Sequence, residues 1–404
     1  MSLIVQKFGG SSLADTAKIK TVARTIAETF KAGYSLVIVV SAQGDTTDHL
    51  LKKAQEISVT TSKRELDSLL ASGEQMSSAL LAMALEDLGL PAVSLTGWQA
   101  GMVTDSSHGM ARIENIDTTR ITKELENGKI VIVAGFQGYD DNGDITTLGR
   151  GGSDTSAVAL AAALKAELCQ IYTDVDGIYT ADPRVVSSAK KLDEISYDEM
   201  LELASLGAQV LNNRSVELAL KYNVKLMVLS SLHKAEGTFV KEESKVEKTL
   251  IRGVTRDNNI AKVSLMDVDD VPGKAYQIFS VLADKKINVD LIIQSIGRNG
   301  KQDVSFTVAQ SSLKEAIKVL SDNNDTINAQ EIIYDKKVCK VSIVGSGIAN
   351  NPGIAAGAFK TIYEEKINIQ MIATSEIKLS LLIAEEDAER AVVALHEYFA
   401  LGKK

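Results

Sequence analysis

Only two cysteines, Cys169 and Cys339, occur among the 404 residues, far apart and each in an apolar, strand-like run. Two such thiols build no disulfide framework. They are expected to be free and buried, in a reducing compartment. Histidine is almost as scarce: His49, His108, His233 and His396 are scattered, and no His/Cys cluster has the spacing of a zinc or iron site. No apolar run approaches the roughly 20 residues that span a bilayer. No cationic leader precedes an apolar stretch at the N-terminus, so a cytoplasmic location is expected rather than secretion. Lys and Arg form no long run and the formal net charge is -9, which argues against nucleic acid and against an anionic membrane as partners. Several nucleotide signatures are missing too. There is no G-x-x-x-x-G-K-[ST], no complete G-x-G-x-x-G, and neither H-R-D nor D-F-G; Gly345-Ser346-Gly347 comes near but follows a strand of a C-terminal repeat.

What is present is the composition of a soluble globular protein, 45% hydrophobic and 24% charged, long enough for two or three domains. Residues 1 to about 240 alternate apolar strands with longer helical stretches. Strands are expected at Leu3–Phe8, Leu36–Val40, Ala92–Leu95, Ile130–Ala134, Cys169–Tyr172 and Lys225–Leu229. Ser62 to Leu88 reads as one or two helices with a long apolar series. This alternation is the signature of an α/β domain.

Three loops follow such strands. Lys7-Phe8-Gly9-Gly10-Ser11-Ser12 places a lysine at a strand end and two glycines in the turn, with a helix expected from about Ala14. Strand, glycine turn and helix N-terminus can cradle a phosphate, because backbone N–H groups and the helix dipole face it. The same glycines also suit a plain tight turn. Residues 147 to 156 read Thr-Leu-Gly-Arg-Gly-Gly-Ser-Asp-Thr-Ser and open a second helix, expected over Ala157 to Leu164. Thr173 to Arg184 forms a polar loop with Asp182-Pro183-Arg184, which could equally be simple turn chemistry. Three loops after three strands fit a doubly wound sheet with its ligand cleft at the strand C-terminal ends.

Past the polar stretch Lys241 to Lys248 an internal repeat appears. Lys-Val-Ser occurs at 262–264 and at 340–342, Pro272-Gly273 recurs as Pro352-Gly353, and Lys286-Ile287-Asn288-Val289 recurs as Lys366-Ile367-Asn368-Ile369. The spacing is 78 residues for the first pair and 80 for the others, so the second copy carries two extra loop residues. Each copy reads strand, Pro-Gly turn, helix, strand, then a further strand and helix, a βαββαβ pattern. Helices are expected at about Lys274–Lys285 and Ile354–Glu365.

Taken together, Lys7 to Ser12, Ser72-Gly73-Glu74, Phe136, Leu148 to Asp154 and Thr173 to Arg184 closely resemble the aspartate kinases, over essentially the whole chain. The resemblance implies an amino-acid kinase (carbamate kinase-like) doubly wound sheet at 1–240, and a linker with the first strand of the regulatory region at 241–260. Two ferredoxin-like ACT modules are implied at 261–335 and 336–404. It implies phosphorylation of the side-chain carboxylate of L-aspartate by ATP with Mg²⁺, whose protein ligands the sequence does not name. Lys7 would span the transferring phosphoryl group, and Gly9, Gly10 and Ser11 would lie along the phosphates. Arg150 would pair with the substrate α-carboxylate and Glu74 with its ammonium. Ser41, Phe136, Gly151, Gly152, Ser153 and Asp154 would complete the aspartate pocket, Asp154 orienting Lys7. Thr173, Asp174, Tyr179, Asp182 and Arg184 would form the nucleotide loop. From the residues alone, Glu74 could be a solvated helix residue and Asp154 a helix N-cap. One departure stands out: Gln209 takes a place where some relatives carry lysine, and nearby Arg214 is expected to compensate.

Tandem ACT modules imply feedback control by lysine, threonine or both. Implied effector positions are Asp270, Gly273, Ala275, Asn288 and Gln294 in the first copy. In the second they are Asn350, Pro352, Gly353, Ile354, Asn368, Thr374, Ser375 and Glu376. The resemblance also implies self-association through ACT modules, as a homodimer or larger assembly, with room for a shorter regulatory chain as partner, and no fused dehydrogenase region. Two other readings compete: a kinase of glutamate, acetylglutamate or a nucleotide, and an amino-acid sensor with an inactive kinase domain. The paired repeats and Ser72-Gly73-Glu74 argue against the first, and Lys7, Arg150 and Asp154 against the second.

Overall fold

The computed structural model describes residues 2–58, 60–205, 210–242, 251–297, 299–348 and 351–402. They fall into two compact units, one within Met1–Ile178, Lys191–Ala204 and Gln209–Val246, the other within Tyr179–Lys190, Ser205–Ala208 and Glu247–Lys404.

In the first unit the apolar runs build one eight-stranded sheet. Its order is Glu194–Ser196, Thr238–Lys241, Leu226–Ser230, Leu168–Thr173, Leu3–Phe8, Ser35–Val40, Ile130–Ala134 and Ala92–Leu95. Every pairing is parallel except that of Leu226–Ser230 with Thr238–Lys241. Strands buried on both faces need no polar side, which is why Ile130–Ala134 is apolar throughout and fully buried. The six expected strands are all there, within a residue at each end. Leu3–Phe8 lies between Ser35–Val40 and Leu168–Thr173, so the chain leaves it toward one side of the sheet and returns on the other. That is a topological switch point, and a cleft opens at the carboxyl ends of such strands. A smaller sheet of Ile113–Ile116, Met102–Thr104, Gln137–Tyr139 and Ile145–Thr147 was not legible in the sequence, its strands being only three or four residues long.

Two helix starts differ from expectation. The residues after Gly9 form a 3-10 turn, Gly10–Leu13, and the helix proper runs Thr16–Lys31, capped by Asp15, whose carboxylate accepts from the Lys18 N–H at 2.9 Å. The later helix begins at Gly152, not Ala157, and runs to Ala163, so Ser153 and Asp154 belong to its first turn. Small residues carry little apolar periodicity, which hid that first turn.

The second unit holds two four-stranded antiparallel sheets. Val289–Gln294, Lys301–Ala309, Ile260–Asp269 and Glu331–Asp335 form one, covered by helices Lys274–Asp284 and Leu313–Asp322. Gly253–Asp257, Val338–Val344, Lys378–Ala384 and Met371–Thr374 form the other, with helices Pro352–Glu364 and Ala388–Tyr398. The first repeat copy supplies its own fourth strand, Glu331–Asp335. The second copy takes that strand from Gly253–Asp257, which precedes the first copy in the chain. Repeat-related residues meet between the copies. Ile260 and Val338, with Leu291 and Met371, share one apolar cluster. The Lys262 ammonium donates to Gln370 Oε1 at 3.3 Å, while Lys340, 3% exposed, is ion-paired with Asp290.

Candidate active site

Lys7 is the penultimate residue of the central strand, and its ammonium lies 2.5 Å from Asp154 Oδ1, both side chains 12% exposed. The cap of the Gly152–Ala163 helix is Gly151, so Asp154 is not its N-cap. Asp154 Oδ1 is buried and receives no hydrogen bond, leaving the Lys7 charge as its partner. A lysine and an aspartate are thus brought together from positions far apart in sequence, at the mouth of the switch point.

The first loop interlocks beside this pair with residues 41–44, which follow strand Ser35–Val40. Gly44 N–H donates to the Gly10 carbonyl at 3.0 Å, Gln43 Nε2 to the Leu13 carbonyl at 2.9 Å, and Ser41 N–H to the Phe8 carbonyl at 3.1 Å. Gly10 is required by proximity, since a Cβ there would sit 2.6 Å from the Ala42 carbonyl oxygen. Glu74, on helix Lys63–Asp87, reaches the same loop: Ala42 N–H donates to its Oε1 at 3.0 Å. Glu74 is only 4% exposed, which excludes the solvated reading, and its Oε2 is buried with no partner. Burial raises its carboxyl pKa to about 7 against the lowering effect of the Ala42 N–H. An unpaired buried carboxylate oxygen awaits a donor or a cation.

The glycine-rich loop is held by Asn212, which the sequence did not single out, and by Arg214. Gly149 and Gly151 both have positive φ, 80° and 71°. Asn212 Nδ2 donates to the Arg150 carbonyl at 3.1 Å. Arg214, expected to stand in for a nucleotide-binding lysine, instead donates to the Leu148 carbonyl at 3.0 Å and to the Ala111 carbonyl at 2.9 Å. These two bonds commit two of the five guanidinium N–H donors to the backbone. Arg150 itself is exposed, and its guanidinium has no partner among the described residues. Phe136 closes the loop's other side. It holds a φ of 69°, a strained value for a bulky residue, while its N–H donates to Ser156 Oγ at 3.0 Å and its carbonyl accepts from Leu148 N–H at 2.8 Å. Asp67, 1% exposed, ties the neighbouring hairpin down, accepting from Thr147 Oγ1 at 2.6 Å, Thr147 N–H at 3.0 Å and Gly109 N–H at 2.9 Å.

The third loop is joined to the first through a missed residue, Ser231. Ser12 Oγ donates to Ser231 Oγ at 2.7 Å, and Ser231 Oγ and N–H both donate to the Thr173 carbonyl, at 3.0 and 2.8 Å. The signal available was Ser230-Ser231 directly after a strand. Thr173 Oγ1 donates to Asp174 Oδ1 at 3.1 Å. The expected nucleotide loop is split: Thr173 and Asp174 belong to the first unit, Tyr179, Asp182 and Arg184 to the second. There Arg184 pairs with Asp182 at 2.8 Å and holds that carboxyl below its usual range. Gln209 lies outside the described residues, as does Asn350.

Of the effector positions, Asp270, Gly273, Ala275, Asn288 and Gln294 are exposed in the first copy, Gln294 Nε2 donating to Gln302 Oε1. In the second copy Pro352, Gly353, Asn368, Thr374 and Glu376 are exposed and Ser375 is half-buried. The side chain of Ile354 is committed to the core, leaving only its backbone for a ligand. Among the described residues one trio has metal-ligating geometry, His108, Asp140 and Asp144. Asp140 is already filled by Ser106 and by N–H groups of its own turn, and Asp144 by Arg64, so the trio does not fit Mg²⁺.

A lysine–aspartate pair between glycine loops at a switch point, in a chain that also carries repeated ferredoxin-like sheets, defines an amino acid kinase joined to ACT modules. A family model described as "Amino acid kinase family" matches residues 2–230, and one described as "ACT domain" matches 266–323 and 341–399. An aspartokinase of Geobacillus stearothermophilus is 50% identical over 405 residues, covering 100% of this chain and 98% of the relative. Aspartokinase 2 of Bacillus subtilis (strain 168) is 51% identical over 405 residues, covering 100% and 99%. The crystal structure of E. coli aspartokinase III in complex with aspartate and ADP (R-state) superposes with a TM-score of 0.84 at 27% identity, covering 98% of this chain and 99% of that one. The chain belongs to the aspartokinases, phosphotransferases with a carboxyl group as acceptor.

Proposed function

We propose that the protein transfers the γ-phosphoryl group of ATP to the side-chain carboxylate of L-aspartate, giving 4-phospho-L-aspartate and ADP. We place this at the first step toward lysine, threonine and methionine, under feedback control. The acceptor carboxyl has an ordinary pKa near ~3.9 and is already ionised at neutral pH. No proton has to move: a carboxylate oxygen forms a bond to the γ-phosphorus as the bond to the ADP oxygen breaks. The obstacle is charge, since one anion attacks another. Stabilisation falls to cations and aligned N–H groups.

Lys7 bears on the transferring group and Asp154 fixes its ammonium. Gly9, Gly10 and Ser11 lie along the phosphates, with Thr173, Asp174, Tyr179, Asp182 and Arg184 on the nucleotide. Arg150 grips the substrate α-carboxylate, for which a two-pronged guanidinium is shaped. Ser41, Phe136, Gly151, Gly152 and Ser153 wall the pocket. Glu74 Oε2, buried and unpaired, takes the substrate ammonium, which selects an amino acid with a free amine. Mg²⁺ would arrive on the ATP phosphates, its usual mode, and no protein ligand set for it is formed by the described residues.

Lysine, threonine or both act through the ACT modules, and the active assembly is a homodimer or larger, with or without a shorter regulatory chain. E. coli aspartokinase III, solved with lysine and aspartate, supports lysine as one effector. The observation that carries the reading is the Lys7–Asp154 pair at the switch point. Its test is hydroxylamine trapping of the acyl phosphate with ATP, Mg²⁺ and aspartate, against glutamate and acetylglutamate. Aspartate-dependent hydroxamate that Lys7→Ala abolishes is expected; folded wild-type protein making none would overturn the reading.

A further inference from the structure

We infer that Asn212 and Arg214 are positioning residues for the substrate loop Leu148–Asp154, setting affinity for the amino acid without touching it. The inference rests on the aspartate kinase reading for what the loop binds. It rests on the geometry alone for what holds the loop.

A segment with glycines at 149, 151 and 152, two of them at positive φ, has much conformational freedom to lose on binding. Something outside it must fix the one arrangement that presents Arg150. Two side chains do so through main-chain carbonyls. Arg214 spans the Leu148 and Ala111 carbonyls with separate nitrogens, at 3.0 and 2.9 Å, and so joins the loop to the segment beside it. Asn212 takes the Arg150 carbonyl at 3.1 Å. Asn212 is itself fixed, because its Oδ1 accepts the Arg214 N–H at 3.0 Å as the cap of helix Asn213–Tyr222. That helix packs against the Gly152–Ala163 helix that the loop opens.

The fit at Gly151 is close. A Cβ there would come within 2.3 Å of Asn212 Nδ2, so the Asn212 amide fills the space a side chain would occupy. With its carbonyls turned onto this clamp, the loop leaves the Arg150 side chain exposed and without a partner among the described residues. A preorganised loop loses less freedom when substrate arrives, which appears as affinity for that substrate alone. A planar fork suits two carbonyls at once, and an ammonium does not replace it.

The test compares Asn212→Ala, Arg214→Lys and Arg214→Met with wild type. Steady-state kinetics are measured in aspartate and in ATP, and hydrogen–deuterium exchange on the peptide covering 147–155 in the free protein. Aspartate KM is expected to rise about tenfold in Arg214→Met and Asn212→Ala and less in Arg214→Lys, with ATP KM within about twofold. Loop exchange should quicken in the same order while the rest of the first unit keeps its protection. Loop exchange at the wild-type rate overturns the inference, as do both KM values rising together. So does exchange rising across the whole unit, which would mean a general packing role. Should wild type show no aspartate-dependent turnover, the kinase reading falls, and the loop-exchange comparison alone decides the clamp.

Discussion

Thr180 and His396 are 216 residues apart in sequence, yet the Thr180 hydroxyl lies 2.9 Å from His396 Nε2. Thr180 belongs to the loop that carries Tyr179, Asp182 and Arg184, and His396 to the last helix of the second repeat copy. The Lys190 N–H also reaches Thr180 Oγ1, at 3.0 Å, and Ala181 and Val186 are buried in that copy's core with Val341 and Leu395. Residues Tyr179–Lys190 are thus built into the second unit. Thr180→Val should therefore lower the thermal stability of that unit by about 1–2 kcal/mol, since it leaves His396 and the Lys190 N–H unsatisfied. Calorimetry checks this, and an unchanged transition would count against the role.

His396 also gives an acid dependence. Burial lowers its pKa below the ordinary 6.5, with Glu397 opposing the shift. The unfolded chain then binds more protons than the folded one below pH 6.5, so stability falls as the pH drops through that value. His396→Gln should flatten the slope just below pH 6.5 in pH-resolved thermal melts.

Glu74 gives the opposite sign. With its pKa at about 7 in the fold and near 4.5 in the unfolded chain, the folded protein binds the extra proton between those values, and stability falls as pH rises through them. Ionising Glu74 without a partner for Oε2 costs up to about 3 kcal/mol. Glu74→Gln should raise the melting temperature at pH 8 and leave it nearly unchanged at pH 4.5. In wild type the aspartate KM should climb as the pH falls below about 7, where Glu74 is protonated and cannot pair with an ammonium, and this climb should vanish in Glu74→Gln.

Lys340 and Asp290 join the two repeat copies, with Lys340 buried and Asp290 half-exposed. Removing the acid strands a buried ammonium, whereas removing the lysine frees an acid that water already reaches. Asp290→Ala should destabilise the regulatory unit by about 3 kcal/mol, and Lys340→Met by clearly less, as read from urea unfolding. Equal losses would show the pair to be replaceable packing.

Gln294→Ala should relieve inhibition by lysine and threonine while leaving uninhibited turnover within about twofold, because an effector shifts only an equilibrium it binds unequally. Inhibition curves for the two amino acids, singly and together, read this out. Unchanged curves would remove Gln294 from the effector site.

The main-sheet strands were legible because burial on both faces demands unbroken apolar runs, and Ile130–Ala134 has one. Lys7 and Asp154 were legible as a pair through the family resemblance, but the setting of Glu74 was not: periodicity cannot reveal that Glu74 Oε2 would be sealed without a partner. Asn212, Asp67 and Ser231 were missed, and Arg214 was singled out for another reason, because they act on backbone carbonyls and amides of segments distant in sequence. Such contacts depend on tertiary approach and leave no local pattern. The early start of the Gly152–Ala163 helix was missed because glycine and serine in its first turn read as loop.

The strand Gly253–Asp257 has a consequence for how the chain is made. It leaves the ribosome before the first repeat copy, yet its hydrogen-bonding partner, Val338–Val344, is synthesised only after that copy is finished. The first copy can close on itself in the meantime, while Gly253–Asp257 waits with an unpaired edge. That edge can be paired only after the first copy has been made. A nascent chain stalled between Asp335 and Val338 would display that open edge to any neighbouring copy emerging from the same message.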